Sequence, residues 1–212
     1  MRAYIESTFF RQSILAFIGV PLLIWAAGNF PERSLLKESL SIITILAFCQ
    51  MMGQFFWART SRSVVTNLKM SKVVKYHKII GYTFVAILFF HPLYLVFPRF
   101  FEASVSPADA FVSIITTLNQ GVVLGIIAWS LMLVLGTTAF ARKKLPMKYK
   151  TWRVFHGILA MLFLSVAAWH VIDLGRHSNL VMSIFISMLT AGGILLLLKT
   201  YLFKKSKKTS EV

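Results

Sequence analysis

Cysteine, acidic side chains and glycine-rich loops are scarce or missing in this 212-residue chain. Cys49 is the single cysteine, so an internal disulfide, a Cys-x-x-Cys-His covalent cofactor attachment and a four-cysteine cluster are all excluded. Lying in an apolar stretch, Cys49 reads as a small buried hydrophobe. There is no Gly-x-Gly-x-x-Gly and no phosphate-cradling loop, and Gly192-Gly193 falls inside an apolar run, where it reads as a helix-packing notch. No polar segment is large enough to hold a flavin and a nicotinamide, so the chain has no evident hydride-accepting module of its own. Asp and Glu number only 7 against 23 Lys and Arg, a balance that invites a nucleic-acid reading until its distribution is examined.

What is present is apolar: 57% of residues are hydrophobic and the mean hydropathy is +0.72, the composition of an integral membrane protein. Six stretches, approximately 12–28, 40–58, 76–97, 120–141, 153–173 and 179–203, each approach the ~20 residues a helix needs to cross the hydrocarbon core. Since helices satisfy their own backbone groups in lipid, the expectation is an all-α, six-helix transmembrane bundle. No linker divides it, so residues 1–212 read as one domain with a core at about 40–200.

The charge follows this topology. With the N-terminus, residues 59–78, residues 142–153 and the C-terminus on one side, that side holds 19 of the 23 Lys and Arg, while the other keeps Arg33, Lys37, Arg99 and Arg176 with five of the seven acids. By the positive-inside rule the basic side is cytoplasmic, and both termini with it. Lipid headgroups, rather than nucleic acid, account for the excess. The expected location is a cell membrane, a bacterial inner membrane for example. One alternative is that the first stretch is a signal peptide, because Ala26-Ala27-Gly28 resembles a cleavage site.

Four of the five histidines make a pattern. His77 and His91 are 14 residues apart, as are His156 and His170, and the elements His77, Gly81, Phe84, His91 recur 79 residues later as His156, Ala160, Phe163, His170. Fourteen residues turn a helix about 40° short of four full turns and raise it roughly 21 Å, so each pair shares a face. Any one of these histidines could be a satisfied core residue. Inside a bilayer, however, a polar side chain is costly and needs a partner. Set side by side, the third and fifth segments place His77 opposite His156 and His91 opposite His170. Such pairs suit two stacked b-type haems held by axial ligation, with the iron atoms as the bound metal. Gly81 and Ala160 leave room for a porphyrin, and Phe84 and Phe163 fall between the two levels. Lys78, Arg153, Arg99 and Arg176 are placed to neutralise propionates, or simply to snorkel. His177, between Arg176 and Ser178, reads as solvated.

Pro92 removes the hydrogen bond due to the Leu88 carbonyl and should bend the third helix; Pro21 acts likewise in the first. Ser106-Pro107-Ala108-Asp109 reads as a helix start, opening a short interfacial helix over about 107–118. Trp25, Trp57, Trp152 and Trp169 read as interfacial anchors, with haem contact a second possibility for the last two.

The runs His77-Lys-Ile-Ile-Gly-Tyr, Phe-His91-Pro-Leu-Tyr, Arg142-Lys-Lys-Leu-Pro, Trp152-Arg-Val-Phe-His156 and Trp169-His170 resemble the ferric reductase-like transmembrane domain. That family includes NADPH oxidases, ferric-chelate reductases and the MsrQ haem subunit. The resemblance implies two stacked b haems on His77, His91, His156 and His170, carrying electrons across the membrane. It implies a cytoplasmic flavin (FMN or FAD), flavoprotein or membrane quinol as donor. The acceptor is then extracytoplasmic, a partner reductase of the MsrP type or a ferric chelate. The chain departs from the oxidases in stopping at Val212 without a flavin domain, and from MsrQ-type sequences in having His77. A stand-alone metalloreductase, and a transporter or scaffold whose histidines move protons or metals, are the competing readings.

Overall fold

The computed structural model describes residue 8 and residues 10–57, 69–101 and 106–202. Among these there is no strand. In chain order the helices are α1 (Phe10–Ala26), α2 (Leu35–Trp57), α3 (Met70–Phe89), α4 (His91–Val96), α5 (Pro107–Thr116), α6 (Gln120–Phe140), α7 (Tyr149–Leu174) and α8 (Leu180–Leu202). A 3-10 turn, Phe97–Phe101, continues α4. Within the described residues each of the six apolar stretches falls mainly on these helices, the third divided between α3 and α4. Among the described residues four, α2, α6, α7 and α8, are long and apolar enough to cross a membrane, and α3 with the α4 segment makes a fifth if that broken pair is one span. α1 is apolar but shorter.

The two intramembrane prolines act where the backbone chemistry requires. Pro92 sits at the second residue of α4, and the chain bends by 41° between α3 and α4. His91 is therefore the first residue of a separate, tilted helix, rather than a continuation of the helix that carries His77. In α1, Pro21 has no N–H to offer the Phe17 carbonyl one turn earlier, and the helix widens to a π-turn over Leu15–Gly19. The carbonyl set free accepts instead from Gln50 Nε2 on α2, at 3.4 Å. Phe17 is buried against Gly53 of the same helix, so α1 is packed into the bundle.

The core lies where α2, α6, α7 and α8 meet: Phe48, Cys49, Met52 and Phe55 face Met132, Leu135, Phe163, Leu164, Ala168, Met182 and Ile186. Cys49 is fully buried, as its position in the sequence suggests. The outer faces of the same helices expose leucine, valine and isoleucine, which is the surface that lipid requires. Because lipid is as apolar as leucine, close backbone approach does the joining. Gly193 meets the Phe55 ring, and Gly121 and Gly125, four apart on α6, let α7 come against its first turns.

At the helix ends the capping is local. Ser106 Oγ accepts from Asp109 N at 3.1 Å to start α5, as its sequence indicates, and Asn119 Oδ1 accepts from Val122 N at 2.9 Å to start α6. Between them Leu118 takes φ +44°, in the left-handed region where a Cβ is unfavourable. The basic segment expected at 59–78 falls partly outside the described residues. Lys72, Lys75 and His77 already lie in the first turns of α3.

Candidate cofactor site

The four histidines group two by two toward opposite ends of α7, His77 and His156 as a ring contact and His91 and His170 as walls of one cavity. At the lysine-rich end the rings of His77 (α3) and His156 (α7) have centroids 6.3 Å apart and planes 74° apart. A metal–imidazole bond of about 2 Å, taken with the half-width of the ring on each side, puts two rings sharing one axial metal just over 6 Å apart. At the other end His91 (α4) and His170 (α7) line one cavity of about 480 Å³, together with Thr44, Trp129, Met132 and Phe163. That volume is typical of small-molecule and cofactor sites.

The hydrogen bonds fix which nitrogen of the second pair is left for a metal. His170 Nδ1 is 2.8 Å from the Gly121 carbonyl. A carbonyl only accepts, so Nδ1 carries the proton and Nε2 keeps its lone pair. His91 Nδ1 lies 3.4 Å from Thr44 Oγ1, whose own proton is committed to the Leu40 carbonyl at 2.9 Å. That leaves Thr44 Oγ1 as an acceptor for a proton on His91 Nδ1. Both rings thus have the outer-shell partner that metal-bound histidines use to set tautomer and orientation. At the first pair, by contrast, Nδ1 of His77 and of His156 are buried without a hydrogen-bond partner among the described residues, as is Arg153 Nε.

The remaining residues fit a haem unevenly. A Cβ at Gly81 meets no atom within 4 Å, so the room expected beside His77 is there. Ala160, its counterpart in the repeat, is packed against the core along with Phe84, and Phe163 is buried in the cavity wall. Of the arginines considered for propionates, Arg176 lines the cavity at its mouth, whereas Arg99 on the 3-10 turn does not. Arg33 and Lys37 do line it. Sequence spacing missed both, since nothing local ties the start of α2 to His91. None of α5 lines the cavity either.

His177 is a correction. It is buried, 3% exposed, with Nε2 2.8 Å from Glu38 Oε1 and its ring edge-on to Phe30 at 4.7 Å. Trp25 Nε1 donates to the same carboxylate oxygen at 2.6 Å. Burial holds the His177 pKa below its ordinary value; the Glu38 carboxylate opposes this, and Arg33 and Arg176 add to the depression. The cluster ties α1, α2 and the α7–α8 loop together beside the cavity mouth.

Trp152 also does more than anchor. Its ring stacks on His156 at 4.9 Å and 26°, while Trp169 remains half exposed.

The fold defines a multi-pass helical membrane protein with one imidazole pair, His77 and His156, and two further histidines, His91 and His170, lining one cavity. The chain belongs to the family of ferric reductase like transmembrane components, which it matches over residues 43–167, and membership points to a membrane electron-transfer component. An uncharacterized protein of Archaeoglobus fulgidus is 47% identical over 161 residues, covering 76% of this chain and 88% of that one. No solved structure matches.

Proposed function

We propose that this protein is a dihaem b-type electron-transfer subunit, a six-span bundle passing electrons from a cytoplasmic flavoprotein, free flavin or membrane quinol to an extracytoplasmic acceptor. The observation that supports it is the contact of His77 with His156, together with the cavity that His91 and His170 both line toward the other end of α7. A haem held by two imidazoles supplies one-electron ferric–ferrous chemistry, with no open position for oxygen. His156 and His170 stand 14 residues apart on the unbroken α7, roughly 21 Å, which is most of a ~30 Å hydrocarbon core. His170 and His91 hold their Nε2 atoms ready by donating through Nδ1. Arg33, Lys37 and Arg176 offer positive charge at the cavity mouth for propionates, and Arg153 does so at the lysine-rich end. Phe163 keeps water from the space between the levels. The lysine-rich end faces the cytoplasm by the positive-inside rule.

The basic mouth also supports a second reading, reduction of an anionic ferric chelate there without a partner protein. The test of direction uses inside-out and right-side-out vesicles reduced with dithionite and challenged with membrane-impermeant ferricyanide. Right-side-out vesicles should reoxidise the His91/His170 haem first. Reoxidation of that haem first from the cytoplasmic face would refute both the topology and the direction.

A further inference from the structure

The two pairs are oriented by different means. His170 and His91 have hydrogen-bond partners on Nδ1, in Gly121 and Thr44. His156 has none among the described residues, where its Nδ1 is buried and unpartnered. An axial imidazole with no outer-shell acceptor is free to turn about its own metal–nitrogen axis unless its ring faces are held. One face is held. Trp152, one turn earlier on α7, stacks on the His156 ring at 4.9 Å and 26°.

Trp152 is itself fixed from three directions. Its Nε1–H donates to the Thr138 carbonyl at 3.3 Å. Thr138 lies in the last turn of α6, where carbonyls have no partner within the helix. Tyr149 stacks on it at 6.0 Å and 20°. Arg142, on the 3-10 turn between α6 and α7, spreads its guanidinium 4.4 Å over the Tyr149 ring and 5.3 Å from that of Trp152. A cluster of Arg142, Tyr149 and Trp152 therefore links the basic surface to the half-buried His156 imidazole, with Arg142 over both rings.

We propose that Trp152 is a positioning residue for the His156 ligand, holding the ring plane by stacking where the other pair uses hydrogen bonds, and that Tyr149 and Arg142 hold Trp152. This rests on the reading of His77 and His156 as an axial pair. The 74° between their planes is then a held angle. Near-perpendicular axial imidazoles give a low-spin ferric haem a strongly anisotropic electron paramagnetic resonance signal, so the angle is directly readable.

The test is that signal, with potentiometric titration, on the full-length protein purified with haem supplied. Trp152→Leu should shift the largest g value and the midpoint potential of the His77/His156 haem, leave the His91/His170 haem unchanged, and be restored by Trp152→Phe, which keeps a stacking face. Tyr149→Leu should move the same two quantities in the same direction by less. Trp152→Leu protein with both haems and the wild-type signal overturns the proposal. If Trp152→Leu does not accumulate in the membrane, Tyr149→Leu decides, and an unshifted signal there overturns it equally. Wild-type protein that binds no haem at His77/His156 refutes the site reading instead, and haem content separates the two failures.

Discussion

Gly125 is the position where one methyl group tests the site most sharply. A Cβ there comes to 2.7 Å from His170 Cε1 and 2.9 Å from its Nδ1. Carbon contacts are comfortable at ~3.5–4.0 Å, so Gly125→Ala must displace the imidazole or α7 by about 1 Å. The ring cannot move that far and keep its 2.8 Å bond to the Gly121 carbonyl. Loss of that bond costs about 1 kcal/mol, and overpacking about 1–3 more. Borne by the haem-bound form, which needs the ring in place, that cost lowers affinity for a haem on His91 and His170 by roughly 30- to 700-fold at 1.4 kcal/mol per tenfold. Gly136→Ala is the control on the same helix, because its Cβ meets only Val85 Cγ1 at an ordinary 3.5 Å. Haem per chain, measured by pyridine haemochromogen after washing the membranes, should fall from two toward one in Gly125→Ala and stay at two in Gly136→Ala. Full retention with an unchanged signal from the His91/His170 haem in Gly125→Ala would show that α6 does not seat that ligand.

Further outcomes follow from other parts of the fold. His177 is neutral in the native protein because its pKa is depressed by burial, so the unfolded chain takes up its proton first, near 6.5. Stability is therefore fully present above that pH and declines as pH falls below it. His177→Gln should flatten the fall in melting temperature between pH 7 and 5, and an unaltered slope would refute the assignment. Leu118→Gly removes the left-handed penalty of about 1 kcal/mol and should raise the melting temperature by about 2–4 °C. A drop would mean that the Leu118 side chain contributes more than its backbone costs. Reversing Lys72 and Lys75 to Glu should slow haem reduction by an acidic flavoprotein at low salt and matter less at high salt. Equal rates at low salt would leave these lysines only the task of fixing topology.

Much of this was legible in the chain because the governing signals are local. Apolar runs of helical length, the proline after His91, and the Ser106 cap each act within a turn or two. The 79-residue repeat singled out four histidines, two of which the long, unbroken α7 carries toward its two ends. The repeat did not carry through to its smaller members: Gly81 stands in open space while Ala160 packs against the core, a difference set by which helices neighbour each position. Long-range pairings were invisible. His177 meets Glu38 across 139 positions, and a histidine flanked by Arg176 and Ser178 has every local mark of a solvated residue. Arg33 and Lys37 reach the cavity only because α2 begins at Leu35, ahead of the apolar run, and brings its polar first turn to the mouth. Gly121 and Gly125 carried a usable signal, two small residues four apart in an apolar helix, the spacing that lets membrane helices approach closely.

The central claim, that the two imidazole pairs each hold a haem, is tested most directly by haem stoichiometry across four alanine variants. Wild-type protein purified with haem supplied should contain two non-covalent b haems per chain. His77→Ala and His156→Ala should each retain only the His91/His170 haem, His91→Ala and His170→Ala only the His77/His156 haem, and His156→Ala combined with His170→Ala neither. A colourless wild-type protein, or a haem content that is indifferent to His156 and His170, would contradict the account.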